Sequence, residues 1–436
     1  MKKIFAVMIT ILLVLLPVGC AVKTTTPTAA PSTEAAGTPA STPTQAAAEP
    51  VTLKFVRIGN DQAEADFWKA LITRFNAKYP NITIEYDDAA IGEPMETKLN
   101  SMFSAGMGPD IIGHGIMSVA ARVEAKHYMP ITKYFESWEG KDDIMPSLLA
   151  NGVYKGETYG LAYSSTPFVF AYRKDLFQAA GLDPEKAPAT WEELKQYALK
   201  LTVKDASGAI TQSGFSFPKA AGNFVEFDTL VFGNGGRFFD DDGKPTLDTP
   251  DKAEVFNFLK SFLSDVTVPY DSKDVNPFVN GTAAMTLINN VALTPMLKNA
   301  DYAGKVGIAL PPSNKEPATF CGCNMLFIGA GSKHAGEAFQ FIAFALSKDE
   351  VLNRAKELNV PVTLQSQVEA FSALDPMNAV RAECVAKGIG MPRTTWAAAF
   401  QRIRNDMVQQ VLYGKASPEE ALKSAQQQVE DEIAAE

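Results

Sequence analysis

Histidine is scarce in this 436-residue chain, which has only three: His114, His127 and His334. A serine triad needs one of them beside a nucleophile and a carboxylate, and no local signature places one there. The Gly-x-Ser-x-Gly elbow and the His-Glu-x-x-His zinc motif are both absent. The glycine-rich run Phe232-Gly233-Asn234-Gly235-Gly236 is no phosphate loop, because it lacks the following lysine and the strand–loop–helix context. Asp240-Asp241-Asp242-Gly243 opens like a calcium loop but has no closing glutamate, so it reads as a solvated turn. Cysteine is rare too, at Cys20, Cys321, Cys323 and Cys384, without metal-site spacing. Positive charge is thin: net charge is −10 and no basic run exceeds two residues. Nucleic acid is thereby excluded as a partner, since phosphate binding needs a clustered positive surface. No metal or other cofactor is expected. Glycosidase-type paired carboxylates are the chemistry these absences leave open, because any two Asp or Glu can meet in space.

What is present allows two or three domains, with 46% hydrophobic residues supplying more than one core. Residues 1–20 read as a signal peptide: basic Lys2-Lys3, then an apolar run from Ile4 to Leu16 too short to span a bilayer. It ends in Val18-Gly19-Cys20, which resembles the bacterial lipoprotein processing site. That resemblance implies a lipid on Cys20, though Pro17 stands where such sites usually have leucine. Two acyl chains anchor stably, at roughly 0.8 kcal/mol per buried methylene. Residues 21–50 are nearly all Ala, Thr, Pro and Ser, which predicts a disordered tether with a reach on the order of 30 Å.

Beyond the tether, Val51 to Ile58 reads as a strand. Glu64 to Tyr79 reads as a helix with Phe67, Trp68, Leu71, Ile72, Phe75 and Tyr79 on one face, stopped by Pro80. Asn81 to Tyr86 alternates again, which completes a βαβ unit. Ligands in such sheets meet the carboxyl ends of strands. Asn60, Asp61 and Glu64 stand there, and the same residues also suit a turn and a helix cap.

In the stretch from Lys155 to Thr202, Phe168 to Tyr172 reads as a buried strand. Asp175 to Ala180 is a short helix closed by Gly181, and Thr190 with Glu193 forms a capping box. Before the strand, Tyr163-Ser164-Ser165-Thr166 is small, polar and followed by Pro167. It makes a poor core and a suitable place for backbone to pass between two bodies while offering hydroxyls. The whole stretch, with its Tyr172-Arg173-Lys174-Asp175-Leu176-Phe177 and Thr190-Trp191-Glu192-Glu193-Leu194 runs, resembles the extracellular solute-binding proteins of ABC sugar importers (family 1, maltose-binding-protein-like). Three more stretches match in order: Ala105 to Ile111, Asn280 to Met285, and Leu412 to Leu422.

The resemblance implies an α/β, two-lobed periplasmic-binding-protein-like fold (type II) with three interlobe crossings and a ligand cleft between the lobes. One lobe would hold residues 51–165 and 326–372, the other 166–325 and 373–436. The crossings would fall at Tyr163–Thr166, Cys323–Phe327 and near Phe371–Met377. It gives Asp110 the task of fixing a turn and places His114 at the cleft, with Tyr163, Thr166 and Asn324 at the crossings. Asn289 and Asn290 stand where relatives often carry a tryptophan, and their amides suit hydroxyls. Trp396, in a loop before an amphipathic helix, would enter from the second lobe. The function implied is not enzymatic. It is a lipid-anchored receptor on the extracellular face of a bacterial cell membrane, with a carbohydrate ligand and ABC permease transmembrane subunits as partners. A surface sensor on the same fold and a polysaccharide-active enzyme are the competing classes. In an oxidising exterior, Cys384 could pair with Cys321 or Cys323.

Overall fold

The computed structural model describes residues 49–435 apart from 60, 91–92, 221–222, 241–242, 264, 272 and 392. The signal peptide, Cys20, nearly all of the tether and Asn60 therefore lie outside the described residues. Strands β1 (Val51–Ile58), β2 (Ile82–Ala89), β3 (Ile111–Gly115), β4 (Gly160–Arg173), β5 (Met285–Asn289), β6 (Val306–Ala309), β7 (Thr319–Ile328) and β8 (Gly388–Ile389) form one eight-stranded sheet. Its order is β5-β4-β7-β3-β1-β2, with β6 beside β4 and β8 beside β7. The helices used below are α1 (Gln62–Lys78), α2 (Glu93–Ser104), α3 (Trp191–Leu201), α4 (Val225–Gly233), α5 (Asn290–Lys298), α6 (Lys348–Leu358), α7 (Met377–Ala386), α8 (Ala397–Leu412) and α9 (Pro418–Ala435).

The βαβ unit forms as expected. β1 and β2 run parallel, Val51 opposite Ile82 through Ile58 opposite Ala89. α1 starts because the Asp61 side chain accepts from the backbone N–H groups of Ala63 and Glu64, at 2.8 and 3.2 Å. It stays because Phe67, Trp68, Leu71, Ile72 and Phe75 are buried, each worth roughly 1.5–3 kcal/mol. Asp110 ties β3 to its neighbours: its Oδ2 accepts from Lys54 N at 2.9 Å and its Oδ1 from Ser332 Oγ at 2.6 Å.

β4 is longer than its apolar core predicts. It runs 14 residues and takes in the whole polar tetrad. The small hydroxyl residues are tolerated because their backbone pairs with β7, Ser164 opposite Asn324 and Thr166 opposite Gly322. Pairing with β7 ends at Pro167, opposite Cys321, where proline has no N–H to lose. From Phe168 to Tyr172 its partner is β5, and from Phe170 to Arg173 β6 pairs with it as well. The strand thus passes from one set of neighbours to another at Pro167. A register shift follows Asn324, since Met325 pairs with Ala162 and Tyr163 is the extra residue, a bulge that re-aims the strand.

Cys321, Cys323 and Cys384 are all buried free thiols, so the pairing allowed for Cys384 is not formed. Cys384 lies in α7 in a second apolar cluster with Val169 and Ile288, whereas Cys321 and Cys323 belong to the main core. Burial pushes the Cys321 thiol up to about 12, so it is a poor nucleophile. Among the described residues no helix is long and apolar enough to cross a membrane.

Candidate functional site

A cavity of about 520 Å³ lies between Met117 and one side of α8. Met117 belongs to the short turn Ile116–Ser118 that follows the carboxyl end of β3, the position where open α/β sheets meet their ligands. The α8 side contributes Ala398, Gln401, Arg402, Asn405, Asp406 and Gln409. These recur at three- and four-residue intervals, one stripe of a helix. The opposite side is apolar: Phe400, Ile403, Met407, Val408 and Val411 are buried in the core.

The wall is fixed from behind. Arg404, between the lining residues, turns inward and donates to Asp228 of α4 at 2.6 Å and to Asn223. The Arg404 and Asp228 side chains are both fully buried. Burial holds Asp228 up at about 6 despite that arginine, and pushes its neighbour Glu226 up to about 7. On the cavity side, Asn405 Oδ1 accepts from Phe224 N at 3.2 Å. Arg402 pairs with Glu432 of α9, and Asp406 Oδ2 accepts from Gln410 Nε2 at 2.6 Å.

A second polar surface comes from the crossing strands. Paired residues of antiparallel strands share a face, and so do residues two apart. Thr166, Gly322, Ser164 and Asn324 therefore lie on one face of the sheet, and Asn324 is also opposite Gly115 of β3. Thr166, Gly322, Asn324 and Gly115 are only partly buried and Ser164 beside them is buried, while Ser165, Cys323 and Cys321 on the other face are all buried. The row ends at Gly115, two residues before Met117.

The other sequence candidates are placed as follows. Glu64 and Tyr163 come together around two arginines. Arg57, fully buried, sits 3.1 Å from Glu64 Oε2 and 3.0 Å from Asp88 Oδ1. Arg354 of α6 donates to Glu64 Oε1 at 2.7 Å and lies 4.7 Å from the Tyr163 ring centre. Burial raises the Tyr163 hydroxyl to about 12. His114 is buried with Nε2 2.8 Å from Glu96 Oε1, and that hydrogen bond, with Arg122 beside it, holds Glu96 down at about 2. Asp61 caps α1, and Asn289 caps α5 by accepting from Ala292 N at 2.8 Å. Asn290 is the first residue of α5. Trp396 is buried at the start of α8, its ring 4.9 Å from that of Phe239.

Thr166 and Asn324 are thus brought onto one surface and Glu64 and Tyr163 into one cluster, with Asp61 capping the helix that carries Glu64, while His114, Asn289 and Trp396 are each held by other partners. The α8 lining residues were missed. Their signal was in the sequence all the same, as the polar side of a helix whose apolar side is easily read.

The profile of bacterial extracellular solute-binding proteins matches residues 59–351. A binding protein of Brucella abortus (strain 2308) is 28% identical over 377 residues, 80% of this chain and 86% of that one. An ABC transporter solute-binding protein from Thermotoga lettingae, solved with α-D-tagatose bound, aligns with TM-score 0.72 and 25% identity over 87% of this chain and 98% of that one. Another from Agrobacterium radiobacter K84, solved with ribitol, aligns with TM-score 0.68 and 28% identity over 87% of this chain and 98% of that one. These relatives bind solutes and are not enzymes, and they carry the two-lobed α/β type II fold. The chain belongs to the bacterial extracellular solute-binding protein family.

Proposed function

We propose that this protein is the lipid-anchored receptor of an ABC importer, capturing a carbohydrate outside the bacterial cell membrane and handing it to the permease transmembrane subunits. Cys20 carries the lipid and residues 21–50 form the tether. The lobes are residues 51–165 with 326–372 and residues 166–325 with 373–436. The observation that supports this reading most is the pairing of two polar surfaces. One is the Gln401–Gln409 stripe of α8, facing Met117 across a cavity of about 520 Å³. The other is the Thr166–Asn324 row on the crossing strands, which leads toward the same turn.

Thr166 and Asn324 form the floor and Gln401, Asn405 and Asp406 a wall. Amides and hydroxyls both donate and accept, as sugar hydroxyls require. Hinge motion at the three crossings brings the second lobe over the ligand, where hydrogen bonds act away from water. Of the other expected ligand residues, Asp61, Glu64, His114, Tyr163, Asn289 and Trp396 act on the cleft indirectly, by holding the elements that frame it through caps, ion pairs and packing. A thermal-shift screen over mono- and oligosaccharides tests the reading. A ligand at 100 times its Kd stabilises by about 2.7 kcal/mol, a clear rise in melting temperature. No rise with any carbohydrate contradicts it. The anchor is tested separately: Cys20→Ser should release the protein into the medium.

A further inference from the structure

The lining of the α8 cavity narrows the ligand further, on the carbohydrate reading just given. We infer that the site takes a small neutral polyol or monosaccharide, and that Asp406 turns phosphorylated sugars away. Two observations carry this. First, no aromatic side chain is among the described residues that line the cavity. Oligosaccharide chains gain much of their affinity from ring faces stacked on aromatics, and this wall offers three amides instead, on Gln401, Asn405 and Gln409. Recognition then rests on hydroxyl count and geometry, which suits a short, fully hydroxylated ligand.

Second, the charge of the wall is wrong for an anion. Among the described lining residues the guanidinium is that of Arg402, and it faces Glu432. Among the described residues no cation pairs with Asp406; its Oδ2 takes an amide proton from Gln410, which leaves Oδ1 as an acceptor. A phosphate entering here has to draw Arg402 from Glu432 and then sits beside two carboxylates. A neutral hydroxyl instead donates to Asp406 and disturbs neither pair, and hydrogen bonds to a charged group are the stronger kind. The excluded class is set by a repulsive element, which is how binding sites separate ligands of similar shape.

Titration calorimetry on the full-length chain tests this with four probes: ribitol, α-D-tagatose, maltotetraose and glycerol 3-phosphate. Ribitol or tagatose should bind at least about tenfold tighter than the other two. Asp406 is exposed, so Asp406→Asn should fold normally. It should weaken the neutral ligand and narrow its advantage over glycerol 3-phosphate by about tenfold. If maltotetraose binds tightest, the carbohydrate reading stands and this inference falls. Tightest binding of glycerol 3-phosphate, or an unchanged ratio in Asp406→Asn, also overturns it. If none of the four binds, this inference falls, while the carbohydrate reading is decided by the wider thermal-shift screen.

Discussion

Arg404 of α8 and Asp228 of α4 meet at 2.6 Å with neither side chain exposed to solvent. Residues on either side of Arg404 line the cavity beside Met117, so this pair fixes the angle at which that wall is presented. Removing one partner leaves a buried charge unpaired. Arg404→Ala should therefore cost about 3–5 kcal/mol in urea unfolding. The double replacement Arg404→Met, Asp228→Leu should recover most of that loss. Equal losses in the single and double variants would place the energy in packing.

The same neighbourhood sets a pH dependence. Glu226 Oε2 is buried without a hydrogen-bond partner, and burial raises this carboxyl to about 7 from an ordinary 4.5. Asp228 moves the same way, to about 6 from 3.8. Both groups hold their protons more tightly folded than unfolded. The stability they contribute is therefore complete below their unfolded values and is lost as pH rises through about 4 to 7. Glu226→Gln should remove its share and make the protein more stable than wild type at pH 8, by about 1–3 kcal/mol. At pH 4 the two should match. Urea unfolding at pH 4, 6 and 8 gives the slope directly.

Glu96 shows the opposite sign. Its hydrogen bond to His114, with Arg122 close by, lowers it from 4.5 to about 2. Stability from this group is present above its unfolded value and is lost as pH falls through 4.5 toward 2. His114→Phe should flatten that acid limb in thermal melts recorded from pH 5 to pH 2.5. An acid limb identical to wild type would remove His114 from the account.

Thr166 and Asn324 share one face of the crossing strands and are both half-buried, and the proposed function gives them to the ligand rather than to the fold. Asn324→Ala and Thr166→Val should each weaken the neutral ligand about tenfold in calorimetry while changing stability by under about 1 kcal/mol. Loss of stability with unchanged affinity would make this row a structural strip only.

Local signals carried much of this in the sequence. The alternation of Val51 to Ile58, the Asp61 cap, the Thr190–Glu193 box and the apolar side of α8 each depend on near neighbours, and each is present. What was hidden depends on distant partners. Nothing near Ser164 shows that it pairs with Asn324, 160 positions away, so a 14-residue strand was read as a polar gap before a short one. Trp396 carried no sign of Phe239, against which it packs. The cavity-lining side of α8 looked like any solvated helix side, because amides lining a cavity and amides facing open water are the same residues. Only the turn at Met117 across from them distinguishes the two.

On the proposed function, two lobes close over a ligand held by α8 and the crossing strands. Small-angle scattering of the full-length chain, with and without a saturating amount of the tightest-binding sugar or polyol, tests it most directly. The radius of gyration should fall on binding, and Gln401→Ala should need a higher ligand concentration to produce the same fall. A radius unchanged at full occupancy, or a response indifferent to Gln401, would contradict it.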